Sequence, residues 1–474
     1  MTRALAPILA GLALVGGCTL GPRYTPPPPP AGATAPLVSL NPAAESSAQP
    51  PDAWWRLYSD PLLDRYLDEA FAANYDLKAA EANLSAARAI LEASRAGNYP
   101  ATTVEAGAIY GRDPTTDEIV EIVGGKPKTT WLFDTLFDVS YELDLFGRVK
   151  RSIEASKADA QAAAAARDVL KITVAAETAR AYAQVCTLGE QLSVARHSVD
   201  VVTREAWITE KRHEAGANAE FDVVRAQGLV DQVRSAIPPL EGQRRAALFE
   251  LGAVLGRTPG HAPAEVDACV NPPHLEALIP IGDGAALLSR RPDIRLADRR
   301  LAAATARVGV AMADLYPRIS LTGFYGGFAA DIPDLTRNVG LGWGVGPQIS
   351  WSFPNQAGPR ARIHQAKAGA DAALAEFDSA VLQALKETEQ ALATYGAELD
   401  HRQALAEARA KARRALDIAH GQFVAGSIPN LDLLSAEQVL VADDAAVAAS
   451  DAALAQDQIA VFKALGGGWR RSAG

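Results

Sequence analysis

The chain has 474 residues, a formal net charge of −10 and a hydrophobic content of 49%, much of it alanine. Only 6% of the residues are aromatic, and Ala-rich sequence with interspersed charge favours long, closely packed helices over a large aromatic core. The acidic balance and the lack of a Lys/Arg cluster argue against a nucleic-acid partner.

The N-terminal residues 1–17 have the organisation of a secretory signal peptide. Arg3 precedes an apolar run from Ala4 to Val15, and two glycines lead from there to Cys18. A run of this length is too short to span a bilayer as a mature helix, so we expect it to be removed. The order Val-Gly-Gly-Cys resembles a bacterial lipobox, which predicts that Cys18 is the diacylated first residue of the mature protein. The alternative is a plain signal peptide with a chance cysteine.

Residues 18–53 are predicted to form a lipidated tether. They are rich in proline, including the run Pro26–Pro30, and such sequence favours an extended and semi-rigid chain. Beyond the signal peptide, no uninterrupted apolar stretch reaches 18 residues, so the sequence predicts no transmembrane helix. A membrane protein without such helices must be anchored or be a β-barrel.

Cys186 and Cys269 are the two cysteines that remain after Cys18. Export places them in an oxidising compartment, where a pair of thiols usually forms a disulfide. A bond between them is therefore possible, and two buried free thiols are the alternative, because sequence does not show whether their Cα atoms lie close enough.

The chain contains two tandem copies of one unit of roughly 200 residues, a period that points to duplication. The first copy is predicted to occupy residues 54–258, the linker residues 259–283, and the second copy residues 284–468. Matching residues recur at constant offsets of 217 and then 210 positions. At the first offset lie Asp76 with Asp293, Leu84 with Leu301 and Tyr99 with Tyr316, and at the second lie Gly216 with Gly426, Asp222 with Asp432 and Leu255 with Leu465.

Each copy is predicted to begin with a helix that ends at a Tyr-Pro pair. The first helix runs over Leu62–Asn98 with a break near Asn74, and the second runs over Pro292–Leu315. Pro292 falls in the first turn, where a helix tolerates proline.

A β-hairpin is predicted to follow each of these helices. Trp131–Leu145 and Leu341–Phe353 alternate apolar and polar residues, with aromatic residues near their ends. Their predicted partners are Ala101–Gly111 and Arg318–Phe328, and the polar residues 113–127 suit an external loop. Strands of soluble proteins are usually about five or six residues long. The length therefore favours transmembrane barrel strands over an amphipathic strand on a soluble core.

Four strands per chain cannot close a barrel, because the smallest closed barrels have about eight. Open strand edges are not viable in lipid, so the chain is predicted to oligomerise. A dimer would supply about eight strands, a trimer about twelve and a tetramer about sixteen. Since side chains fill an eight-stranded barrel, a channel needs at least the trimer.

Two very long helices are predicted after the hairpins, over Arg148–His213 and Arg360–Val424. Each holds about 65 residues without proline, which corresponds to roughly 100 Å. Short turns at Ala215–Ala219 and Ala425–Asn430 reverse the chain, and return helices run to about Leu255 and Leu465. Hairpins of this length favour a tube of antiparallel helices. A spectrin-like bundle or a filamentous coiled coil would leave the strands unexplained.

With these features, the chain resembles the TolC-like outer membrane efflux proteins, and specifically the lipoprotein branch often called NodT-type. The resemblance covers nearly the whole chain. It rests on motifs that are weak alone and specific in this order: Cys18–Tyr24, Trp54-Trp55, Asp60-Pro61, Glu142–Arg148 and Leu287–Ile294.

The resemblance implies an α+β membrane protein that assembles as a homotrimer. A twelve-stranded transmembrane β-barrel, with four strands from each chain, would continue into a twelve-helix periplasmic α-barrel. The implied function is a passive exit duct for drugs or other small molecules in the outer membrane of a Gram-negative bacterium. An inner-membrane pump, often of the resistance-nodulation-division type, would supply the energy, and a periplasmic adaptor would join the two.

The resemblance also implies roles for residues near the helix-hairpin turns. The end that faces the adaptor corresponds to Glu214, Gly216, Ala217, Phe423, Gly426 and Ser427. Some relatives narrow the pore with a Leu and, one turn later, an Asp. Leu431 fits the first position but Ser435 occupies the second, so Asp432 in the same turn is the substitute, and an ordinary helix surface is the alternative. Arg290, Arg291 and Asp293 are expected to brace a helix start and not to touch cargo.

The sequence shows no pattern of catalytic or metal-binding residues. There is no HExxH, no CxxC pair and no P-loop, and the alternating glycines over Gly340–Gly346 lie inside a predicted strand and precede no helix. We therefore expect that the chain is not an enzyme and that it binds no cofactor and no metal ion. Two alternatives to small-molecule efflux remain: a duct for protein or peptide secretion through the same fold, and a surface-anchored coiled-coil lipoprotein that is not a channel.

Overall fold

The structure is a computed structural model that describes residues 19–41, 45–46, 48–112, 121–122, 124, 126, 129–275, 278–282, 284–337 and 340–467. The chain divides into two compact units. The sheet unit comprises the residues up to Pro27, Asn83–Ala163 and Leu296–Phe377. The helical unit comprises Pro28–Ala82, Ala164–Arg295 and the residues from Asp378 onward.

The helices and strands follow the order predicted for a duplicated chain. The helices are α1 (Pro61–Ala73), α2 (Tyr75–Ala96), α3 (Arg148–Glu214), α4 (Glu220–Arg234), α5 (Ile237–Val254), α6 (Gly284–Arg290), α7 (Pro292–Ala313), α8 (Ala357–Val424) and α9 (Asn430–Ala464). The long strands are β1 (Ala101–Gly111), β2 (Thr130–Leu143), β3 (Arg318–Ala329) and β4 (Leu341–Ser350). Short 3-10 turns lie at Trp54–Tyr58, Pro259–His261, Ala264–Ala268 and Ile332–Thr336.

The sheet unit is built on one four-stranded sheet in the order β1-β2-β3-β4. All three pairings are antiparallel, and the pairing of β2 with β3 joins the two copies of the duplicated unit. Both predicted hairpins are thereby confirmed. Within the described residues, β1 and β4 each pair on one side only, so the sheet is open at both edges.

Strand β4 ends at Ser350, three residues before its predicted end at Phe353. Ser350 pairs with Arg318, which is the first residue of β3 because proline precedes it. Residues beyond Ser350 therefore have no strand opposite them. Trp351 instead donates its ring N–H to the carbonyl oxygen of Leu315 at 3.1 Å.

The predicted break in the first leading helix is confirmed at Asn74, between α1 and α2. The Asn74 side-chain oxygen accepts hydrogen bonds from the backbone N–H groups of Asp76 at 3.0 Å and Leu77 at 3.1 Å. Its amide group donates to the carbonyl oxygen of Val254 at 3.0 Å. The side chain thus caps the new helix and ties it to α5 within the helical unit.

The two long helices are also confirmed, with 67 residues in α3 and 68 in α8. At about 1.5 Å per residue, each is roughly 100 Å long. Their alanines allow close packing, and Ala175, Ala179 and Ala183 of α3 are at most 1% exposed. None of the described helices has the length and apolar content needed to cross a membrane.

The sequence predicted a first return helix that runs unbroken to about Leu255, but this helix is interrupted in the structure. It divides into α4, which ends at Arg234, and α5, which begins at Ile237. Pro238 and Pro239 explain the break, because proline has no backbone N–H and its ring clashes with the preceding helical turn. Both prolines are accepted at the start of α5. The second return helix, α9, has no proline inside it and is continuous.

The core of the helical unit gathers around Trp54, which is fully buried and stacks on Phe462 with ring centroids 4.8 Å apart. The Pro-rich stretch predicted to be a tether contributes to this core through Leu37, which is 7% exposed. Glu389 accepts hydrogen bonds from the backbone N–H groups of Val38 at 2.8 Å and Ser39 at 2.9 Å. This part of the stretch is therefore docked on its own chain and is more than a spacer.

Candidate functional site

One face of the four-stranded sheet is apolar and exposed. A single row crosses all four strands, because Val104 pairs with Phe137, Phe137 with Tyr325 and Tyr325 with Trp343. The exposed fractions of these residues are 77%, 41%, 54% and 74% in that order. A contiguous exposed apolar surface of this kind marks contact with lipid or with another protein. With strands of 10 to 14 residues, it matches the lipid-facing side of a membrane strand.

The opposite face of the sheet is mostly polar. Asp138 on β2 lies between Thr103 on β1 and Phe324 on β3. The same face carries Glu105, Asp134, Ser140, Glu142, Ser320, Thr322 and Gln348. A polar face behind an apolar face is the alternation of a barrel strand with a water-filled interior.

The alternating glycines of β4 have a packing role on this polar face. Gly344 pairs with Phe324, and a Cβ atom added at residue 344 would lie 2.7 Å from the ring of Phe324. The glycine therefore leaves the space that the aromatic ring occupies. These glycines lie inside the strand and do not lead directly into the N-terminus of a helix, so they form no phosphate-binding turn.

The motif at residues 142–148 turns the chain from β2 into α3. Arg148 donates from Nε to the Glu142 carboxylate at 2.8 Å. Asp144 caps α3 by accepting from the backbone N–H groups of Val149 at 3.1 Å and Lys150 at 2.8 Å. Gly147 has φ +77°, a left-handed conformation that favours glycine. The residues of the motif are thus explained by the geometry of one turn.

The same turn receives the segment that follows the predicted lipidation site. Cys18 itself lies outside the described residues. The backbone N–H of Leu20 donates to the carbonyl oxygen of Phe146 at 3.3 Å. Arg151, whose side chain is 4% exposed, donates to the carbonyl oxygens of Leu20 at 2.9 Å and Gly21 at 3.0 Å. We call this arrangement of residues 19–21 on residues 146–151 the anchor junction.

The first helix-hairpin turn presents Glu214, Gly216 and Ala217, all of them exposed. Gly216 has φ +75°, and no atom lies within 4 Å of the position that its Cβ would take. The Ala217 N–H donates to the carbonyl oxygen of Arg212 at 2.8 Å, which closes the end of α3. Lys211 forms an exposed ion pair with Glu214 at 2.8 Å.

The second turn repeats this geometry with one difference from the prediction. Gly426 has φ +73°, and Gly426 and Ser427 are exposed. Phe423 was predicted to face a partner, but its side chain is only 8% exposed. The guanidinium of Arg212 lies over its ring, 4.2 Å from the centroid. The ring therefore joins the two hairpins within the helical unit, and its contact with a partner stays a prediction.

The predicted pore residues share one surface at the start of α9. Leu431 is 42% exposed, and Asp432 and Ser435 are also exposed. Leu431 and Ser435 lie four residues apart and so lie on the same side of the helix. The neighbouring Leu433 and Leu434 are buried, at 1% and 4% exposed. The side chains of Leu431, Asp432 and Ser435 are therefore exposed to solvent in the single chain.

Arg291 braces the start of α7, as predicted. It donates to Asp293 and Glu387, both at 2.7 Å, and to the carbonyl oxygen of Ala464 at 2.6 Å. Arg290 forms an ion pair with Asp52 at 3.4 Å. Each guanidinium is committed to its own chain within the helical unit.

Sequence reasoning missed Glu437, a carboxylate buried near the hairpin turns. It is 3% exposed, and its Oε2 atom has no hydrogen-bond partner among the described residues. Burial, and secondly the nearby Glu205, raises its pKa from 4.5 to about 8. The signal was present in the sequence, because Glu437 lies four residues after Leu433 and four before Val441, on the apolar side of α9.

Cys186 and Cys269 are joined by a disulfide. Cys186 is fully buried in α3, and the bond ties the linker between the two copies to that helix. Arg244 supports the same contact by donating to the carbonyl oxygens of Asp267 at 2.5 Å and Cys269 at 3.2 Å. Gly189 provides the room, since a Cβ there would lie 2.1 Å from the Cys269 oxygen.

Comparison with known proteins identifies relatives along nearly the whole chain. A family model described as outer membrane efflux protein matches residues 66–257 and 285–467. Nodulation protein T of Rhizobium leguminosarum bv. trifolii is 28% identical over 92% of this chain and 91% of the relative. The probable outer membrane lipoprotein SilC of Salmonella typhimurium is 27% identical over 96% of this chain and 97% of the relative. Among solved structures, the outer-membrane channel OprN is 33% identical, with a TM-score of 0.85 over 95% of this chain and 100% of that chain.

Proposed function

The chain belongs to the outer membrane efflux protein family, and on that premise we propose that it is the outer-membrane channel subunit of a tripartite efflux system. The resemblance read from the sequence is confirmed, and the fold is that of outer-membrane channels. The single observation that carries the proposal is the sheet, which combines an exposed apolar face, a polar face and two open edges.

The open edges support a homotrimer. In lipid, unpaired backbone groups at a strand edge cost several kcal/mol each, so β1 and β4 require partners from other copies. Three copies of the four-stranded sheet supply twelve strands, enough for a barrel with an aqueous interior. The polar face would then line the lumen, and the row from Val104 to Trp343 would contact lipid.

The duct is passive in this proposal. It converts no substrate and uses no cofactor, because passage through a pore requires only a continuous polar path. An inner-membrane pump of the resistance-nodulation-division type would supply the energy. A periplasmic adaptor would contact the exposed turn residues Glu214, Gly216, Ala217, Gly426 and Ser427. Leu431, with Asp432 or Ser435, would narrow the pore at the same end.

The protein would be held in the outer membrane of a Gram-negative bacterium by its sheet and by acyl chains on Cys18. The name of the relative SilC includes the words outer membrane lipoprotein, which supports this anchor. The anchor junction supports it as well, because it fixes the residues after Cys18 beside the end of β2. Residues 1–17 would be removed, with residues 54–258 and 284–468 as the two repeats.

Deletion of the gene in its own host tests the function. We expect sensitivity to a set of toxic small molecules, restored by the wild-type chain. The control is a chain with Val345→Pro in the edge strand β4, which removes a backbone donor from the open edge and leaves the hydrogen bonds to β3 in place. Unchanged tolerance in the deletion strain, with unchanged release of small molecules, would favour the anchored coiled-coil lipoprotein. A defect restricted to release of an exported protein would favour the secretion duct.

A further inference from the structure

A cleft of about 480 Å³ opens next to the anchor junction, within the sheet unit. This volume falls in the range of about 300–1,000 Å³ that is usual for ligand pockets. Its walls come from the segment after Cys18, the start of α3 and the middle of α7. The lining includes Thr19, Arg23 and Tyr24 from the segment, Lys150, Arg151, Glu154 and Lys157 from α3, and Arg299 from α7.

The lining is strongly basic. Five cationic side chains face one carboxylate, Glu154, and the cations are Arg23, Lys150, Arg151, Lys157 and Arg299. Arg151 is committed to Glu154 at 2.8 Å and to the backbone of the anchor junction. Arg299 is paired with Asp298. Within the described part of the chain, Arg23, Lys150 and Lys157 take part in no ion pair, so three positive charges remain available to a ligand.

The cleft is built on a fixed frame. Lys150, Glu154 and Lys157 follow one another at steps of four and three residues, which places them on one face of α3. Tyr24 packs against the small cluster of Ala158, Ala302 and Ala303, and its hydroxyl bonds to Asp298. The segment after Cys18 is therefore held as one wall of the cleft.

The position of the cleft indicates what it meets. Thr19 lines it, and Thr19 is bonded directly to Cys18. The inference rests on the proposed function in this respect, since acyl chains on Cys18 would enter the leaflet that faces the periplasm. A pocket one residue away then lies at the level of the lipid headgroups, where basic side chains attract anionic lipids.

We propose that this cleft binds the phosphate of an anionic phospholipid headgroup in the leaflet that holds the acyl chains of Cys18. Lys150, Lys157 and Arg23 contact the phosphate, and Arg151 and Arg299 add to the positive potential around it. The bound lipid holds the junction of β2 and α3 at the membrane surface. Free phosphate shares the same chemistry and is separated from the lipid by the test.

The test uses the full-length protein purified in detergent and titrated with dihexanoyl phosphatidylglycerol. The variant Lys150→Gln/Lys157→Gln should bind this lipid about 30-fold more weakly than wild type, which is about 2 kcal/mol at 1.4 kcal/mol per tenfold. The control Lys386→Gln/Lys411→Gln removes the same charge from two exposed lysines of α8 and should bind like wild type. Lys150→Arg/Lys157→Arg should restore most of the affinity.

Two further ligands decide the source of the phosphate. Dihexanoyl phosphatidylcholine and inorganic phosphate should each bind wild type at least tenfold more weakly than phosphatidylglycerol. If inorganic phosphate binds as tightly as phosphatidylglycerol, the ligand is not a lipid. If Lys150→Gln/Lys157→Gln and the control Lys386→Gln/Lys411→Gln lose the same amount of affinity, the cleft is not the binding site. The oligomeric mass and conductance of the same preparations report on the proposed channel separately, since a wild-type protein without conductance refutes the channel whichever lipid binds.

Discussion

Replacing Gly147 by alanine should loosen the anchor junction without unfolding the sheet or the helices. Gly147 has φ +77°, and an L-residue in that conformation costs about 1–2 kcal/mol. A Cβ at this position would also lie 2.9 Å from the Cα of Thr19, a backbone atom that cannot rotate away. Thr19 must therefore move, and the hydrogen bond from Leu20 to Phe146 is lost with it.

The conformational cost at residue 147 is the same whether the junction is closed or open, so only the lost hydrogen bond, about 1 kcal/mol, weakens the closed state. This corresponds to an open state that is about fivefold more populated. Amide hydrogen exchange of the peptide that covers residues 19–24 measures this opening directly. We expect exchange to accelerate by that factor in Gly147→Ala.

Gly216→Ala is the matched control. Gly216 has a nearly identical φ of +75°, but nothing lies within 4 Å of its Cβ position. The control carries the conformational cost alone and lies at a hairpin turn, so residues 19–24 should exchange as in wild type. Unchanged exchange of that peptide in Gly147→Ala would refute the role assigned to the close approach of Thr19, as would equal acceleration in both variants.

Three further predictions concern other parts of the chain. Glu437→Gln should stabilise the protein by about 1–3 kcal/mol at pH 9, because it removes a buried charge. Folding raises the pKa of Glu437 from 4.5 to about 8, so the stabilisation should decrease as the pH drops from 8 to 4.5 and should vanish below pH 4.5. Thermal melts over this pH range measure the effect. Trp343→Arg on the apolar face should cost up to about 4 kcal/mol and reduce membrane assembly, whereas Gln348→Arg on the polar face should assemble normally and alter ion selectivity in bilayer recordings. Gly426→Arg should abolish crosslinking to the adaptor while oligomers still form, and normal export by this variant would remove the turn from the contact surface.

The sequence was sufficient for the elements whose signal is local. Alternation along β2 and β4 fixed the strands, and the offset between Asp76 and Asp293 revealed the duplication. Asn74 marked a helix break because its side chain caps the following helix. These features depend on periodicity and on the short-range chemistry of caps, which a single sequence records.

Two of the features that sequence reasoning missed, the burial of Phe423 and of Leu37, depend on contacts between distant residues. Phe423 is buried, and the guanidinium over its ring belongs to Arg212, which lies on the other hairpin. Leu37 enters the core although its neighbours read as a Pro-rich spacer. Pro238 and Pro239 were a local signal for the break between α4 and α5 that was overlooked. The partner-facing turns, the pore residues, the lipidation of Cys18 and the limits of the two repeats remain predictions.

The native mass of the detergent-extracted, unboiled protein shows whether the chain closes a barrel by forming a trimer. We expect three chains in one complex, each with the added mass of acyl chains on its N-terminal cysteine, because twelve strands are needed to close the barrel around a pore. A folded, acylated monomer in detergent and in lipid would contradict it, since four strands cannot close and their edges would face the bilayer unpaired.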